Sequence, residues 1–331
     1  MSTTVTFPIA RLPALKIAHL PGRLEAQTYP IHKSFRFRWS DLGSQGVSRV
    51  AIAHFFEDMR AFSMRSLKSE HGIKSALGDV VLRAITIEYL GHASMDFPCL
   101  DMAAGIASVG NSSYTYVMAA FQNGQCIAVG SSTDVRVVNG QSTPWDDEMR
   151  AMLYLNLMPL VKADDRRATF NHPPAYLWSL ELHTRFSDTD SVGHLNNVSM
   201  SRYHDNATMA FVRDALGLRQ ADANGHNLCV IRQDLSLGAE THFPDPITLC
   251  AAVLEVQAMW FTLALASYQD GKRTTTSTAT LAWVDQYGQA QLLPSTLLAR
   301  LDVFQARLAP DTVKPDPAGT ASTALYSGAH Q

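Results

Sequence analysis

The sequence contains two copies of one pattern, and this internal repeat constrains the fold more than any other feature. Asp188 lies 147 positions after Asp41, and the same spacing joins four further pairs: Gly46 with Gly193, Phe56 with Tyr203, Asp58 with Asp205, and Phe121 with Tyr268. Elsewhere the spacing slips by one or two residues, as small loop changes would cause. Landmarks that recur in the same order indicate a duplicated structural unit.

Each copy has the same predicted order of elements: a short strand, a turn, a long helix and a strand-rich stretch. Apolar residues at spacings of three and four give each helix one buried face: Ile52, Phe56, Met59 and Phe62 in the first copy, and Met200, Tyr203, Ala207 and Phe211 in the second. Gly72 and Gly217 are placed to end these helices in a left-handed cap. The strings "QNGQ" and "QDGK" predict tight hairpin turns.

This pattern predicts an α+β fold in which each copy wraps an antiparallel sheet around one long central helix. Two copies in one chain would pair as an internal pseudo-dimer. We expect an N-terminal extension at 1–30, repeat 1 at 31–159, a polar linker at 160–176, repeat 2 at 177–309 and a disordered tail rich in Pro, Ala, Ser and Thr at 310–331.

Composition narrows the class of protein. A net charge of −3 gives no electrostatic reason to expect nucleic acid as a partner. No signal peptide is recognisable, and no apolar run approaches the roughly 18 residues of a membrane span. Four widely spaced cysteines without a CxxC pair suit reduced thiols: Cys99, Cys126, Cys229 and Cys250. We therefore expect a cytoplasmic protein without a membrane span.

The stretch "RFSDTDSVGHLNN" at 185–197 concentrates polar and ionisable side chains where a strand leads into a helix. Asp188 matches Asp41 of the first copy, which favours a structural role in the turn. Asp190 is matched by Gly43, so the fold does not require a carboxylate there and catalysis is the better interpretation. At the 147-residue spacing, Val47 stands opposite His194, and Arg49 and Val50 stand opposite Asn196 and Asn197. The first site should therefore be inert.

The string "DTDSVGHLNN", followed by a Tyr-containing helix, resembles the motif D-x-D-x-x-x-H-x-N-N of the hot-dog-fold thioesterases, the hydroxybenzoyl-CoA and acyl-ACP thioesterase group. The match covers residues 185 to 211, and the two-copy layout is similar to that of plant acyl-ACP thioesterases. This resemblance implies a tandem double hot-dog fold. It also implies hydrolysis of acyl-CoA or acyl-carrier-protein thioesters without a cofactor or metal.

The resemblance assigns roles within the motif. Asp190 would be the catalytic nucleophile or general base, His194 a catalytic or orienting partner, and the N–H groups near Asn197 would polarise the thioester carbonyl. Val192, Gly193 and Asn196 would contact the substrate. The chain departs from the plant enzymes at Val192, where they carry an asparagine.

The chemistry of thioester hydrolysis fits these residue types. A carboxylate can activate water or attack directly, and general-base catalysis contributes about 10²–10⁴-fold. Free N–H groups at the N-terminus of a helix suit a developing oxyanion. Asp190 lies seven positions before Asn197, so the loop can return its carboxylate to that N-terminus.

Two other functions remain open from the sequence. Hot-dog hydratases and dehydratases resemble D-x-N-P-x-H, in which the histidine follows the aspartate by five positions. Here the spacing from Asp190 to His194 is four and "NP" is lacking. The third alternative is a non-catalytic module that binds acyl-carrier protein or an acyl chain. The acyl group, the carrier and any homo-oligomer beyond the internal pseudo-dimer are left open.

Overall fold

The structure, a computed structural model, describes residues 12–43, 46–73, 80–158, 175–190, 193–218, 221–222 and 225–305. Its strands are β1 (Ile31–Arg36), β2 (Leu42–Gly43), β3 (Gly46–Val47), β4 (Val80–Tyr89), β5 (Cys99–Val109), β6 (Ser113–Gln122), β7 (Gln125–Val138), β8 (Gln141–Ser142), β9 (Trp178–Leu182), β10 (Asn227–Leu237), β11 (Ile247–Val256), β12 (Trp260–Gln269) and β13 (Lys272–Val284). Its helices are α1 (Arg49–Glu70), α2 (Asp147–Leu155), α3 (Asn197–Asp214) and α4 (Ser295–Val303).

One antiparallel sheet runs through both repeats in the order β1-β5-β6-β7-β4-β10-β13-β12-β11-β9. The strand order of the first half recurs in reverse in the second half, and the two halves meet where β4 pairs with β10. The hairpins predicted from "QNGQ" and "QDGK" join β6 to β7 and β12 to β13. In them Asn123 and Asp270 both adopt a φ near 50°, at 49° and 51°. The tandem double hot-dog architecture expected from the sequence is confirmed.

The long helices α1 and α3 lie against this sheet and contact each other. Their predicted apolar faces are buried, Phe62 only partly. Gly72 and Gly217 follow the two helices with a φ of 68° and 63°, as predicted for left-handed caps. The core between the helices and the sheet therefore forms as the 3.6-residue periodicity indicates.

The opposite face of the first half-sheet is covered by the N-terminal segment. Leu12, Leu15 and Ile17 pack with Val117 and other outward-facing strand residues in a second core. The carboxylate of Glu88, fully buried on β4, accepts hydrogen bonds from the backbone N–H groups of Lys16, Ile17 and Ala18 at 2.6, 3.0 and 2.8 Å. Residues 12–18 are thus an integral layer of the fold.

The junction of the two repeats carries buried charges that satisfy one another. Arg232 on β10 bonds Glu88 across the junction at 2.5 Å and Asp234 on its own strand at 2.8 Å. Thr86 and Thr278 donate hydrogen bonds to Asp234. Because breaking one partner of a buried ion pair costs about 3–5 kcal/mol, this network fixes the pairing of β4 with β10.

The structure corrects the alignment of the repeats at the start of the helices. Ser48 N–H donates to Asp41 O at 2.8 Å and Asn196 N–H donates to Asp188 O at 2.9 Å, so Asn196 corresponds to Ser48. Repeat 2 has one additional residue in the hairpin loop between Asp190 and His194.

Pairings after that loop therefore shift by one, and those made at the 147-residue spacing are wrong there. In the structure, Gly46 corresponds to His194, Arg49 to Asn197, Phe56 to His204 and Glu57 to Asp205. These pairs replace the ones made from the sequence, which were Gly46 with Gly193, Val47 with His194, Arg49 and Val50 with the two asparagines, Phe56 with Tyr203, and Asp58 with Asp205. The pairings of Gly43 with Asp190 and of Phe121 with Tyr268 stand.

Several expectations concern residues outside the described ranges. Val192, most of the predicted linker and the tail at 310–331 lie there, and the domain bounds stay predictions. Within the described ranges, no helix has the length and apolar character needed to cross a membrane. All four cysteines are free thiols.

Candidate active site

Asp188 is a structural residue of the loop before α3. Its side chain is 4% exposed and accepts a hydrogen bond from the Tyr203 hydroxyl at 2.5 Å, with Arg202 at 3.5 Å. Burial, and then the hydrogen bond to Asp188, raises the pKa of Tyr203 to about 12, so this hydroxyl stays a donor. The expected turn role of Asp188 is consistent with these contacts.

Asp190 begins a tight hairpin and remains exposed to solvent. Its N–H donates to the carbonyl of His194 at 2.7 Å, and the His194 N–H donates back to Asp190 Oδ1 at 3.0 Å. Gly193 completes the turn with a φ of 86°, a conformation that favours glycine. The main chain of the loop thus orients the carboxylate of Asp190.

The start of α3 presents two hydrogen-bond donors. Asn196 is the N-cap, and its side-chain oxygen accepts the Ser199 N–H at 2.8 Å, while its carbonyl accepts the Met200 N–H at 3.1 Å. The N–H groups of Asn197 and Val198 have no acceptor among the described residues. Together with the partial positive charge of the helix N-terminus, they can bind an oxyanion.

A cavity of about 490 Å³ lies between these groups. Residues of both repeats line it: His54, Glu57, Ser187, Asp190, Leu195, Asn196, Asn197, Val198, Ser199 and Arg202. Of the predicted site residues, Asp190, Asn196 and Asn197 are brought together here. Gly193 and His194 belong to the same loop but are not among the described residues that line the cavity.

Two residues that line the cavity, His54 and Glu57, come from α1 of repeat 1 and are not part of the sequence motif. The Nε2 atom of His54 is buried without a hydrogen-bond partner among the described residues. Burial, followed by the charge of Arg202, lowers the pKa of His54, so its imidazole is neutral near pH 7. Glu57 lies one helical turn further along and bonds Arg60. Both side chains face the site because α1 packs beside α3, which a local motif cannot reveal.

The imidazole of His194 contacts a different set of groups. Its Nε2 atom lies 3.3 Å from Glu240 Oε2, and the Nε2 atom of His242 lies 3.8 Å from the same oxygen. The two imidazole rings pack edge to face with centroids 4.9 Å apart. The hydrogen bonds between His194 and Asp190 are therefore made by the main chain of His194.

The corresponding place in repeat 1 is filled by a cation. Arg49, the counterpart of Asn197, begins α1, and its Nη2 atom lies 3.1 Å from Asp205 Oδ1 and 3.5 Å from the sulfur of Met209. Gly43 provides no carboxylate. The expectation of an inert first site is consistent with this arrangement.

Comparison with solved structures identifies the architecture. A Lactobacillus plantarum protein assigned as an oleoyl thioesterase aligns with a TM-score of 0.59 at 14% identity over 78% of this chain and 97% of its own. An acyl-ACP thioesterase from Bacteroides thetaiotaomicron gives 0.54 at 15% over 76% and 96%. The 12:0-ACP thioesterase from Umbellularia californica gives 0.58 at 14% over 80% and 99%.

Sequence comparison locates the family signal in repeat 2. No curated protein sequence matches the chain significantly. The model of the thioesterase-like superfamily matches residues 184–301, which include the loop, α3 and strands β10 to β13. The chain therefore has a tandem hot-dog fold, and its second repeat is similar to the thioesterase-like superfamily.

Proposed function

We propose that the chain hydrolyses acyl-CoA or acyl-carrier-protein thioesters in the cavity at the start of α3. One observation carries this proposal: an oriented carboxylate, Asp190, and two N–H groups without a described acceptor, those of Asn197 and Val198, line the same cavity. Thioester hydrolysis requires a group that activates water or attacks the carbonyl carbon itself, and a site that stabilises the oxyanion.

The reaction follows from this placement. The thioester carbonyl oxygen binds the N–H groups of Asn197 and Val198, and Asp190 takes a proton from a water molecule as that water attacks the carbonyl carbon. The tetrahedral oxyanion then collapses, the C–S bond breaks, and the departing thiolate takes up the proton from Asp190, which gives the free thiol and the carboxylic acid and restores the carboxylate. Removing one oxyanion donor typically costs about 10²–10³-fold in kcat.

Direct attack by Asp190 is the alternative route to the same products. The carboxylate would form a mixed anhydride and release the thiolate, after which water hydrolyses the anhydride. In both routes Asp190 must be ionised; its carboxylate faces the attacking water in the first route and the carbonyl carbon in the second. The hydrogen bond from the His194 N–H, at 3.0 Å, fixes the direction of Oδ1.

The other residues hold or bound the substrate. Asn196 fixes the first turn of α3, Gly193 belongs to the loop that carries Asp190, and Val192 keeps the substrate contact that the motif implies. His54 and Glu57 form the opposite wall, so repeat 1 contributes to a site whose motif lies wholly in repeat 2. His194 acts on Asp190 through its main chain.

The choice of substrate class draws on the structural neighbours. Two of them are named as acyl-ACP thioesterases. We infer that an acyl group on a phosphopantetheine carrier is the substrate and that no cofactor takes part. The cytoplasmic location stays a prediction from the cysteines.

The test is thiol release from acyl-CoA and acyl-carrier-protein substrates of increasing chain length, with wild type and Asp190→Asn compared. We expect a hundredfold or greater loss of kcat/KM in the variant at an unchanged melting temperature. Asp270→Asn is the matched control, because it makes the same chemical change in the β12–β13 turn, where repeat 1 already carries Asn123.

The other outcomes discriminate between functions. Undiminished hydrolysis by Asp190→Asn would contradict the mechanism while leaving the activity. Hydration of an enoyl thioester without thiol release would establish the hydratase alternative. Saturable binding of acyl carriers without turnover of any substrate would indicate a binding module.

A further inference from the structure

We propose that His194, Glu240 and His242 form a binding site for a divalent transition-metal ion, with Zn²⁺ as the best match. Each residue offers one ligand atom, and these three atoms all lie within 4.8 Å of one another. Two imidazoles and one carboxylate are a ligand set that Zn²⁺ commonly uses, with water in the fourth position. The sequence spacing gave no indication of a metal site, because residues 194 and 240 are far apart in the chain.

The distances are close to those of a tetrahedral zinc site. Zn–ligand bonds of about 2.0–2.2 Å place neighbouring ligand atoms about 3.3–3.5 Å apart. His194 Nε2 lies 3.3 Å and His242 Nε2 3.8 Å from Glu240 Oε2. Small side-chain rotations would therefore close the site. Exposed fractions of 29%, 36% and 50% for His194, Glu240 and His242 leave room for an ion to enter.

The backbone already holds the two histidines side by side. His194 and His242 form an antiparallel bridge, and Leu195 N–H donates to Thr241 O at 2.8 Å. Gln269 clamps His242, since its side chain accepts the His242 N–H and donates to the His242 carbonyl, both at 2.8 Å. Little chain entropy remains to be lost on binding, which favours affinity.

Repeat 1 keeps this framework but not the ligands. Gln122 clamps Ser94 as Gln269 clamps His242. In the corrected alignment, Gly46, His92 and Ser94 stand where repeat 2 has His194, Glu240 and His242. The hot-dog framework therefore does not need the three side chains, which points to a role in binding.

A bound ion would connect the loop of Asp190 to the segment 240–242. The His194 main chain bonds Asp190 on one side, while its imidazole would be held by the metal on the other. The ion would thus limit the movement of this loop. Metal binding itself does not depend on the proposed hydrolase activity, so either proposal can fail alone.

The test is a calorimetric titration of the chelator-treated full-length protein with ZnCl₂. We expect one saturable site and, because a ligand that binds only the folded state stabilises it, a higher melting temperature with Zn²⁺. His242→Ala and Glu240→Gln should each weaken binding at least tenfold. His226→Ala is the matched control, since His226 pairs with Asp222 at 3.1 Å on another loop and should leave the affinity unchanged.

Co²⁺ provides a second readout. Bound at this site it should give the visible absorption of a four-coordinate N,O complex, and His242→Ala should abolish that band. Absence of saturable Zn²⁺ binding by the wild type would overturn the proposal and leave a His–Glu ion pair as the reason for the cluster. Equal affinities in the wild type, His242→Ala and Glu240→Gln would overturn it as well.

Discussion

The starts of α1 and α3 have the same hydrogen bonds around the N-cap residue but differ in the groups that lie next to them. In both, an aspartate carbonyl, that of Asp41 or Asp188, accepts the N–H of the N-cap residue, and the side chain of Ser48 or Asn196 caps the helix. In repeat 1, the ion pair of Arg49 with Asp205 lies next to these hydrogen bonds. In repeat 2, an open cavity lies there instead. The hydrogen bonds that build the helix start and the side chains that line the site are therefore determined by different residues.

The ion pair also explains how repeat 1 tolerates a cation at a helix N-terminus. A positive side chain is unfavourable there because the helix dipole presents its own partial positive charge. Asp205, supplied by α3, compensates Arg49. At the counterpart position in repeat 2, Glu57 faces the neutral Asn197, so the carboxylate contributes to the wall of the cavity.

The largest effect is expected when the first site is copied into the second. Asn197→Arg should place a long cation at the start of α3, where it reaches Glu57 and fills the cavity. We expect kcat/KM for the best thioester to fall about 10³-fold, equivalent to about 4 kcal/mol. Steady-state thiol release from the folded variant measures this.

The reverse change is the control for that prediction. Arg49→Asn in repeat 1 should keep kcat/KM within twofold, because Arg49 does not line the cavity of repeat 2. If Asn197→Arg kept more than a tenth of the activity, the cavity would not be the site of reaction.

A second difference concerns the middle of the helices. There His204 of α3, which is buried, is the counterpart of Phe56 of α1. Burial lowers the pKa of His204 from 6.5 to about 4, so below pH 6.5 the unfolded chain binds a proton that the folded chain does not. The contribution of His204 to the free energy of unfolding therefore decreases as the pH falls, by about 2 kcal/mol at pH 5. His204→Leu should remove this component, measured by urea unfolding at pH 7, 6 and 5.

Phe56→Leu makes the matched change in repeat 1. It removes no titratable group, so it should lower stability equally at each pH and keep the wild-type pH dependence. An identical pH dependence in the wild type and His204→Leu would contradict a neutral, buried His204.

The smallest effects are expected at the two N-caps. Ser48→Ala and Asn196→Ala should each lower the free energy of unfolding by about 1 kcal/mol, because each leaves an N–H of the first helical turn without its acceptor. Asn196→Ala should also reduce kcat/KM about tenfold, since the cap holds the N–H groups of Asn197 and Val198 in place. Ser48→Ala should leave kcat/KM unchanged; equal catalytic effects would show that the two helix starts are not functionally distinct.

Much of the fold could be predicted from local patterns. The hairpins at Asn123 and Asp270 follow from turn chemistry, and the buried faces of α1 and α3 follow from helical periodicity. The alignment of the helix starts could not, because the extra loop residue between Asp190 and His194 leaves no mark on the hydrophobic pattern. The N-terminal layer depends on Glu88, whose partners lie about 70 positions away.

The candidate site could be predicted only where its residues are contiguous in sequence. Asp190, Asn196 and Asn197 lie within one motif, and the structure places them around one cavity. His54 and Glu57 reach that cavity through packing between the repeats. The convergence of His194, Glu240 and His242 likewise depends on a backbone pairing that spans 48 residues. Such contacts become visible only when the chain is folded.

The pairing of β4 with β10 has a consequence for how the molecule behaves in dilute solution. Two separate hot-dog chains that associated through this strand pairing would dissociate as their concentration fell. If the two chains were identical, they would also carry identical sites. Covalent linkage holds the halves at a high effective concentration however dilute the protein becomes. It also frees the two halves to differ, so that repeat 1 can hold an ion pair at the position where repeat 2 lines a cavity.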